Sequence, residues 1–417
     1  MADVRPLKAL HYNPSAITAL DDVVAPPYDV IDAARRAELL RRSPFNVVEL
    51  DLPEAADGAD PYEHAAATLE EWTLQGILAA DRDPALWALT QDYTGPDGTR
   101  RTRRGLLCRV RVTDYGPGLV RPHERTQPGP KEDRLRLTEA TRHNLSPIFS
   151  LHAGDAWRHV EGYTRSDPWA EITDDEGTVH RVWRIADEDT HRAVAAELAE
   201  SELLIADGHH RYETARTYAD AVGGDGAHRY TLMALVSLDD PGLTVFGYHR
   251  LLSNLGEPAA QEALADAIRA HFELEEVPLD RLDPAGEEGI GVFGYVDAHF
   301  RKGYRLRLKD SAVLERAIPG VSGDYRRLDA AILETLILRE GLGMSAEDVE
   351  AKRGISYTAS AERALASLDE GIHAAFLMRP TPVEQVRAVA AAGETMPPKS
   401  TYFYPKLLTG LVFNPLS

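Results

Sequence analysis

The sequence has few of the features that build disulfide frameworks, thiolate metal clusters or membrane spans. Its 417 residues include one cysteine, Cys108 in "LLCRVRV", which excludes an intrachain disulfide and a thiolate-rich metal site. No run of 18 apolar residues occurs, and the start "MADVRPLKALHYNP" lacks the apolar segment of a signal peptide. We therefore expect a soluble, cytoplasmic protein, and a reducing compartment suits its single cysteine.

Positive charge is also scarce in this chain. Lysine and arginine number 46 against 67 aspartate and glutamate residues, which gives a formal net charge of −21. Such a charge opposes non-specific attraction to nucleic acid or to an anionic membrane. An anionic small molecule would therefore need a local cationic pocket.

The length and the order of the periodic segments predict a mixed α/β fold of the α+β type. A chain of 417 residues exceeds the usual size of one domain, so two or three packed units are expected. We divide it into an N-terminal α+β region (1–113), a core (114–252) and a C-terminal α+β region (253–417). The connecting segments are short, so these limits rest on pattern alone.

Several elements outside the core are predicted from periodicity. Helices are expected at "DAARRAELLRRS", "YEHAAATLEEWTLQG" and "DYRRLDAAILETLILRE", and a strand at "NVVELDL". A long hairpin is expected from "PALWALTQDYT" and "TRRTRRGLLCRVRV" around the turn "GPDG". Six arginines lie between Arg100 and Arg111 in its second strand. No aromatic residue interleaves with them for base stacking, so we favour a solvated strand over a nucleic-acid patch.

The segment "LLIADGHHRYETA", residues 203–215, predicts a buried strand that ends at Asp207 and a helix that follows it. Asp207 or Gly208 would cap this helix. The free N–H groups and the dipole of a helix N-terminus attract anions, and Arg211 offers a guanidinium fork suited to phosphate. The alternative is a capped helix on which His209 and His210 only pack. Adjacent helical residues point about 100° apart, so a zinc site is not expected.

Two polar loops precede this segment. In "RPHERT", Glu124 lies between His123 and Arg125 in an irregular loop, where a carboxylate could accept a proton from a hydroxyl nucleophile. A surface salt bridge explains the motif equally well. In "TRHNLSP", the polar side chains could bind a polar substrate or cap the preceding helix; they are Arg142, His143, Asn144 and Ser146.

Near the C-terminus, "GETMPPKST" is close to a phosphate-binding loop without being one. Gly393, Lys399 and Ser400 have the spacing of that motif, but Pro398 stands where its second glycine belongs. Proline removes an N–H that such a loop would direct at phosphate. Lys399 could still reach a nucleotide from outside, although packing of "STYFYPKLLTGLVF" explains the aromatic residues better.

Across most of the chain, "VAPPYDVI", "NVVELDLP", "RPHERT", "ADGHHRYETA" and "MPPKSTYFYPK" resemble the prokaryotic domain-of-unknown-function family 1015. Residues 118–240, with "NLSPIF" before "LLIADGHHRYETA", resemble the ParB/sulfiredoxin fold, whose turn holds nucleotide phosphates. Sulfiredoxins have a catalytic cysteine where this chain has His209. Partition proteins carry a DNA-binding helix-turn-helix, for which a chain of charge −21 offers no evident module. The turn is most similar to that of free-serine kinases, which use a glutamate as base.

This resemblance implies a kinase that transfers a phosphoryl group from ATP or ADP to free L-serine, giving O-phosphoserine. The implied catalytic residues are Glu124 as proton acceptor, Asp207 as an orienting or Mg²⁺-binding group, and His209. The implied nucleotide-binding residues are Gly208, His210 and Arg211, and the implied substrate-binding residues are His123, Arg142 and Asn144. Mg²⁺ follows from the chemistry, and the metal ligands are unknown.

Two alternatives stay open at this point. The same turn could serve a nucleotide-binding regulator or sensor without catalysis, or the motif could be a helix cap in a structural protein. The expected partners are a nucleotide and a small amino acid, without nucleic acid or membrane, and a homodimer is left open. Nucleotide binding would separate the structural alternative from the other two.

Overall fold

The computed structural model describes residues 2–55, 58–95, 98–126 and 128–417, except for the side chain of residue 128. The chain forms two compact units. Unit 1 comprises Met1–Pro122, Thr126–Thr244 and Pro405–Ser417, and unit 2 comprises His123–Arg125 and Val245–Tyr404. The three regions expected from the sequence stay a prediction.

The elements from the start of the chain to the last strand before unit 2 are, in order, β1 (Val4–Arg5), β2 (Leu10–Tyr12), α1 (Ala33–Arg42), α2 (Val48–Asp51), α3 (Pro61–Leu74), β3 (Leu78–Ala80), β4 (Leu86–Thr94), β5 (Arg100–Arg111), β6 (Val120–Arg121), α4 (Pro128–Thr141), β7 (His143–Asn144), β8 (Ile148–His152), β9 (Ala170–Thr173), β10 (Val179–Ile185), α5 (Glu188–Leu198), β11 (Leu203–Asp207), α6 (His209–Val222) and β12 (Tyr230–Ser237).

A large mixed sheet organises unit 1. Its strands follow the order β6-β11-β8-β12-β5-β4-β10-β9, and β1 adds to β5. Strands β8 and β12 are parallel, whereas β11 runs antiparallel to β8. The predicted mixed α/β class is confirmed, and so is the hairpin β4–β5. Two residues of its predicted turn, Pro96 and Asp97, lie outside the described residues.

The core of unit 1 fills the space between this sheet and its helices. Ile148, Ile205, Met233 and Cys108 from four neighbouring strands form one buried cluster, which Tyr212 of α6 joins. In β5 and β11 the cluster takes alternate residues, which are Leu106, Cys108 and Val110 in β5 and Leu203 and Ile205 in β11, as expected for one face of a sheet. The packing fixes both the end of β11 and the start of α6.

The strand predicted at "NVVELDL" is wrong, because Val48–Asp51 form helix α2. The Asn46 side chain accepts a hydrogen bond from the Val48 N–H at 3.0 Å, and its amide donates to the carbonyl oxygens of Asp22 and Val24. Side-chain bonds of this kind favour a helical start over an extended chain. Periodicity alone does not distinguish a strand from a helix in a short apolar run.

The prediction of a solvated arginine strand is wrong for Arg103. This residue is 1% exposed because β5 lies inside the sheet, between β4 and β12. Its guanidinium donates hydrogen bonds to the Gln91 side-chain oxygen and to the Pro405 carbonyl oxygen. It also lies 4.4 Å from the centre of the Phe149 ring.

The remaining elements are, in order, β13 (Thr244–Phe246), β14 (His249–Leu252), α7 (Pro258–His271), β15 (Phe272–Val277), β16 (Val292–Asp297), β17 (Gly303–Leu308), α8 (Val313–Ala317), α9 (Gly323–Arg326), α10 (Asp329–Leu333), α11 (Ala346–Glu350), β18 (Ile355–Thr358), α12 (Ala361–Ala366), β19 (Ala374–Leu377), α13 (Val383–Ala391) and β20 (Tyr402–Tyr404), followed in unit 1 by β21 (Asn414–Pro415).

Unit 2 is built around a sheet with the strand order β15-β17-β16-β19-β14-β18. The helix predicted at "DYRRLDAAILETLILRE" is interrupted, since α9 ends at Arg326 and α10 continues into a π-helical turn at Glu334–Arg339. Within the part of the chain that the structure describes, no helix has the length and apolarity to span a membrane.

Candidate functional site

The predicted strand, turn and helix at residues 203–222 are confirmed. Strand β11 ends at Asp207, and α6 begins at His209 after Gly208 as its N-cap. Gly208 has φ = +97°, a left-handed conformation that residues with a side chain rarely adopt. It offers no side chain to cap the helix, so of the two predicted capping residues it is Gly208 that takes this position. The helix N-terminus therefore keeps its attraction for anions.

Arg211 folds back over this turn. A Cβ atom on Gly208 would lie 3.0 Å from Arg211 Nε and 3.1 Å from its Cζ, so glycine makes room for the guanidinium. The NH1 group of Arg211 donates to the carbonyl oxygen of Pro147, the residue before β8. Its buried Nε has no hydrogen-bond partner within the described residues. The guanidinium is thus fixed beside the first turn of α6.

A second cation at this turn was missed by the sequence reasoning. Lys406 Nζ lies 3.0 Å from Asp207 Oδ2, while Arg211 NH2 lies 3.8 Å from Asp207 Oδ1. Asp207 therefore holds one cation near each of its carboxylate oxygens. Lys406 belongs to the quoted segment "MPPKSTYFYPK", but the phosphate-loop spacing drew attention to Lys399 instead. Lys399 lies in unit 2, 5.2 Å from the centre of the Tyr248 ring.

Buried Arg103 anchors the chain beside Lys406. Arg103 donates to the Pro405 carbonyl oxygen, and the Gln91 amide donates to the Lys406 carbonyl oxygen at 3.0 Å. Burial lowers the pKa of Arg103 to about 10, so it stays cationic at neutral pH. Its ring contact, Phe149, is the cross-strand partner of Asp207. This network holds Lys406 in position against Asp207.

A second buried arginine, Arg134 of α4, lies in the same part of unit 1. Arg134 NH1 is 2.9 Å from Asp51 Oδ1, and its guanidinium lies 4.3 Å from the centre of the Tyr28 ring. Burial raises the pKa of Asp51, although Arg134 and Arg211 oppose this, and burial raises the pKa of Tyr28 to about 12. Arg134, Asp51, Arg211 and Ser146 line one small cavity of about 30 Å³.

Tyr28 and Asp51 come from two of the quoted motifs, "VAPPYDVI" and "NVVELDLP". Their segments are distant from "ADGHHRYETA" in sequence, and the fold brings them to Arg134 and Arg211. Neither residue was singled out from the sequence, because an isolated tyrosine or aspartate in a turn-rich segment gives no signal of its own. The signal that could have found them is that their motifs, "VAPPYDVI" and "NVVELDLP", belong to the same family pattern as "ADGHHRYETA".

The other predicted residues of unit 1 are Asn144, Arg142, His209 and His210. Asn144 Oδ1 accepts hydrogen bonds from the Leu232 N–H at 3.0 Å and from the Asn414 amide at 2.9 Å. Arg142 is exposed at the end of α4, with φ = +53°. His209 is buried and His210 half-buried in the first turn of α6. The roles of these four residues toward a ligand stay predictions.

Glu124 and His123 belong to unit 2, whereas the turn at Gly208 belongs to unit 1. Glu124 is half-buried and forms an isolated β-bridge with Met396 within the segment predicted as an irregular loop. His123 is buried, and its Nε2 lies 2.9 Å from Thr401 Oγ1. Their predicted roles as base and substrate-binding residue are not tested by these contacts.

The residues around Asp207 do not fit a Mg²⁺ ion held by the protein alone. Mg²⁺ prefers carboxylate oxygens and water, but the Asp207 oxygens face Lys406 and Arg211. Over the described ranges, no three histidine, cysteine, aspartate or glutamate side chains cluster as metal ligands. This arrangement does not fit the prediction that Asp207 helps to bind Mg²⁺.

Solved structures give distant matches. A free serine kinase in complex with AMP is 18% identical, with 68% of this chain and 83% of the kinase covered and a TM-score of 0.35. SbnI with a C-terminal truncation, from Staphylococcus aureus, is 13% identical, with 73% and 85% covered and a TM-score of 0.37. A conserved hypothetical protein from Pyrococcus furiosus is 16% identical, with 68% and 86% covered and a TM-score of 0.35.

No curated protein matches the chain. The family model described as "Protein of unknown function (DUF1015)" matches residues 4–331. This range contains the "VAPPYDVI", "NVVELDLP", "RPHERT" and "ADGHHRYETA" segments on which the resemblance rests. The chain therefore belongs to the DUF1015 family.

Proposed function

We propose that the turn at Gly208 binds the phosphates of a nucleotide and that the protein is a small-molecule kinase acting on free L-serine. The observation that carries the proposal is the pair of cations, Arg211 and Lys406, fixed beside the N-terminus of α6, where Gly208 is the N-cap. Helix N-termini attract phosphate through their N–H groups and dipole, and an arginine adds charge-assisted hydrogen bonds. The sequence of the turn is similar to that of free-serine kinases.

The cations are held before any ligand arrives. Arg211 is fixed by the Pro147 carbonyl oxygen, and Lys406 is fixed by Asp207 and by the anchored backbone at residues 405–406. Donors that are already positioned lose little conformational freedom on binding. Phosphoryl transfer depends mainly on such positioning and on stabilising charge on the transferring group. In this proposal, His209 and His210 join Arg211 in holding the donor phosphates.

The proton acceptor in the proposed reaction is Glu124. The serine hydroxyl loses its proton to this carboxylate while its oxygen forms a bond to the terminal phosphorus and the bond to the departing nucleotide breaks. Asp207 is a positioning residue, since it orients Lys406 and Arg211. The assignment of Glu124 comes from the sequence resemblance and needs a chemical test.

A nucleotide-binding regulator is the second candidate. It is favoured by the pairing of the carboxylates near the turn, because Asp207 faces Lys406 and Arg211 and Asp51 faces Arg134. A carboxylate held by a cation is a poor proton acceptor. Unit 1 considered by itself thus resembles a binding site more than a complete kinase site.

Phosphorus NMR separates the two candidates. The protein is incubated with L-serine, Mg²⁺ and either ATP or ADP, and the O-phosphoserine signal is followed over time. The kinase proposal expects O-phosphoserine with one of the donors. Nucleotide binding without product on L-serine would exclude this activity and favour the regulator.

Arg211→Gln tests the binding turn directly. We expect a loss of about 1.5–3 kcal/mol in nucleotide binding free energy by calorimetric titration, typical of a charge-assisted hydrogen bond. Arg192→Gln is the matched control, because Arg192 is a well-exposed arginine on α5 whose ion pairs are with Glu188 and Asp189 of the same helix. Equal affinities of both variants and the wild type would remove Arg211 from the phosphate site.

A further inference from the structure

A second, larger cavity lies in unit 1 at the other end of β8. It has a volume of about 370 Å³, within the range of small-molecule sites. Strand β8 begins beside Pro147, which binds Arg211, and ends at His152, which lines this cavity. Five residues at about 3.3 Å each separate the two ends by roughly 16 Å. The cavity is therefore distinct from the proposed nucleotide turn.

The buried residue His152 brings a hydrogen-bond donor to the cavity. The residue is 2% exposed, and the Gly154 N–H donates to its Nδ1 at 3.1 Å. Burial lowers the pKa of His152 to about 4, so the ring is neutral at pH 7. A neutral ring that accepts at Nδ1 carries its proton on Nε2. No hydrogen bond joins this Nε2–H to another described residue, so it is available to a ligand in the cavity.

Arg104 adds a charged donor to the same cavity. Its Nε donates to Asp240 Oδ2 at 2.8 Å, and the buried Asp240 accepts the Gly242 N–H at its other oxygen. This pairing holds the guanidinium near the Trp157 ring, 5.9 Å from its centre. No protein acceptor within the described ranges bonds to NH1 or NH2 of Arg104.

The rim of the cavity carries the opposite charge. Asp155, Glu161 and Asp239 are exposed carboxylates that line the opening. The rim cation Arg158 is paired with Glu197. The cavity lining thus includes donors from His152 and from half-buried Arg104, and the rim presents acceptors. Among the described residues, these carboxylates form no group suited to a metal ion.

We propose that this cavity binds a free α-amino acid, with its carboxylate toward His152 and Arg104 and its ammonium group toward the rim carboxylates. The carboxylate accepts hydrogen bonds from the His152 Nε2–H and from the N–H groups of Arg104 that bond to no other described residue. The ammonium group balances the acidic rim. This proposal does not depend on nucleotide binding or on kinase activity.

The test is a calorimetric titration without nucleotide, using each proteinogenic L-amino acid up to about 10 mM, a concentration that still detects a weak Kd. An amino acid that binds is compared with its carboxamide, which lacks the carboxylate, and with its N-acetyl derivative, which lacks the ammonium group. We expect each derivative to bind at least about tenfold more weakly. Absence of binding by every amino acid, or equal binding of both derivatives, would overturn the proposal.

Matched variants locate the binding site. Arg104→Gln is expected to weaken binding by about tenfold or more, while Arg100→Gln, the same change on the same strand but outside the cavity, leaves it unchanged. Because Arg104→Gln leaves Asp240 without its cation, Glu161→Gln at the exposed rim serves as a second test and is expected to weaken binding without unfolding. Unchanged affinity in a folded Arg104 or Glu161 variant would overturn the assignment.

A spectroscopic measurement identifies the contact itself. Proton–nitrogen correlation of the imidazole rings is expected to show His152 protonated at Nε2, with a signal that shifts when the amino acid is added. Arg211→Gln is expected to retain this shift, because Arg211 lies at the other end of β8. Binding without a shift at His152, or loss of binding in Arg211→Gln, would place the amino acid at another site.

Discussion

The two ends of strand β8 present polar groups in different states. At its first end, Arg211 is bonded to the Pro147 carbonyl oxygen and shares Asp207 with Lys406. At its last end, His152 Nε2 and two nitrogens of Arg104 have no hydrogen-bond partner over the described residues. Cations fixed by the protein suit the anion site proposed at the first end, whereas donors that line a cavity suit the amino-acid site proposed at the last end. One strand can therefore support two sites of different chemistry.

The largest effect is expected for Glu124→Gln, a substitution that separates catalysis from nucleotide binding at the first end of β8. Glu124→Gln keeps the side-chain shape but removes the proton acceptor, so O-phosphoserine formation is expected to fall by about 10²–10⁴-fold. Nucleotide affinity is expected to stay within about twofold, because Glu124 is assigned to the hydroxyl and not to the phosphates. Product formation by phosphorus NMR and affinity by calorimetry measure the two effects.

Glu362→Gln, an exposed position in unit 2, controls for the loss of one charge. A Glu124→Gln protein that keeps full turnover would remove the residue from the chemistry. If its affinity for nucleotide fell with the rate, Glu124 would be a binding residue instead.

At the other end of β8, buried His152 predicts a pH dependence of stability. Its pKa is about 4 in the folded protein against 6.5 for a free histidine, so between these values the unfolded chain binds a proton that the folded state does not. The stabilising contribution is full above pH 6.5 and is lost as the pH falls toward 4, by on the order of 3 kcal/mol. Denaturant unfolding from pH 7 to 4 measures it.

His152→Gln is expected to flatten part of this profile, since the variant has no proton to bind there. His249 also has a pKa lowered to about 4 by burial, so the remaining slope belongs partly to unit 2. The exposed His299→Gln serves as control and is expected to keep the wild-type profile. Superimposable profiles for His152→Gln and wild type would contradict the assignment.

A smaller effect on nucleotide affinity is expected from substitutions of the two lysines of the C-terminal segment, Lys406 and Lys399. Lys406→Met removes the cation from Asp207, and nucleotide affinity is expected to fall by about fivefold, as for a partly exposed ion pair. Lys399→Met, the position that the phosphate-loop spacing favoured, is expected to leave affinity unchanged. Calorimetric titration of both variants decides between them, and the reverse order of effects would favour Lys399 as the nucleotide lysine.

The smallest expected effect concerns Cys108. It is fully buried in β5, and burial raises the pKa of its thiol, so the thiol stays protonated at neutral pH. Cys108→Ser is expected to leave nucleotide binding and product formation unchanged, with a stability loss of about 1 kcal/mol for the buried hydroxyl. Inactivation of a folded Cys108→Ser protein would reopen thiol chemistry.

Local sequence determined the elements around the turn. The apolar run before Asp207 predicted the end of β11, and Gly208 followed by polar residues predicted the start of α6. The alternation on both sides of "GPDG" predicted the hairpin β4–β5. These elements depend on short-range periodicity and turn chemistry, which a single sequence contains.

Only the tertiary structure decided which side chains meet. Val48–Asp51 became a helix because the Asn46 side chain bonds to backbone groups, and Arg103 became buried because β5 lies inside the sheet. Lys406 reached Asp207 because Arg103 and Gln91 anchor the chain there from distant strands. Such long-range pairings depend on sheet order and on the burial of polar groups, which periodicity does not encode. The sequence by itself thus determined where the turn at Gly208 lies, and the fold decided which cations surround it.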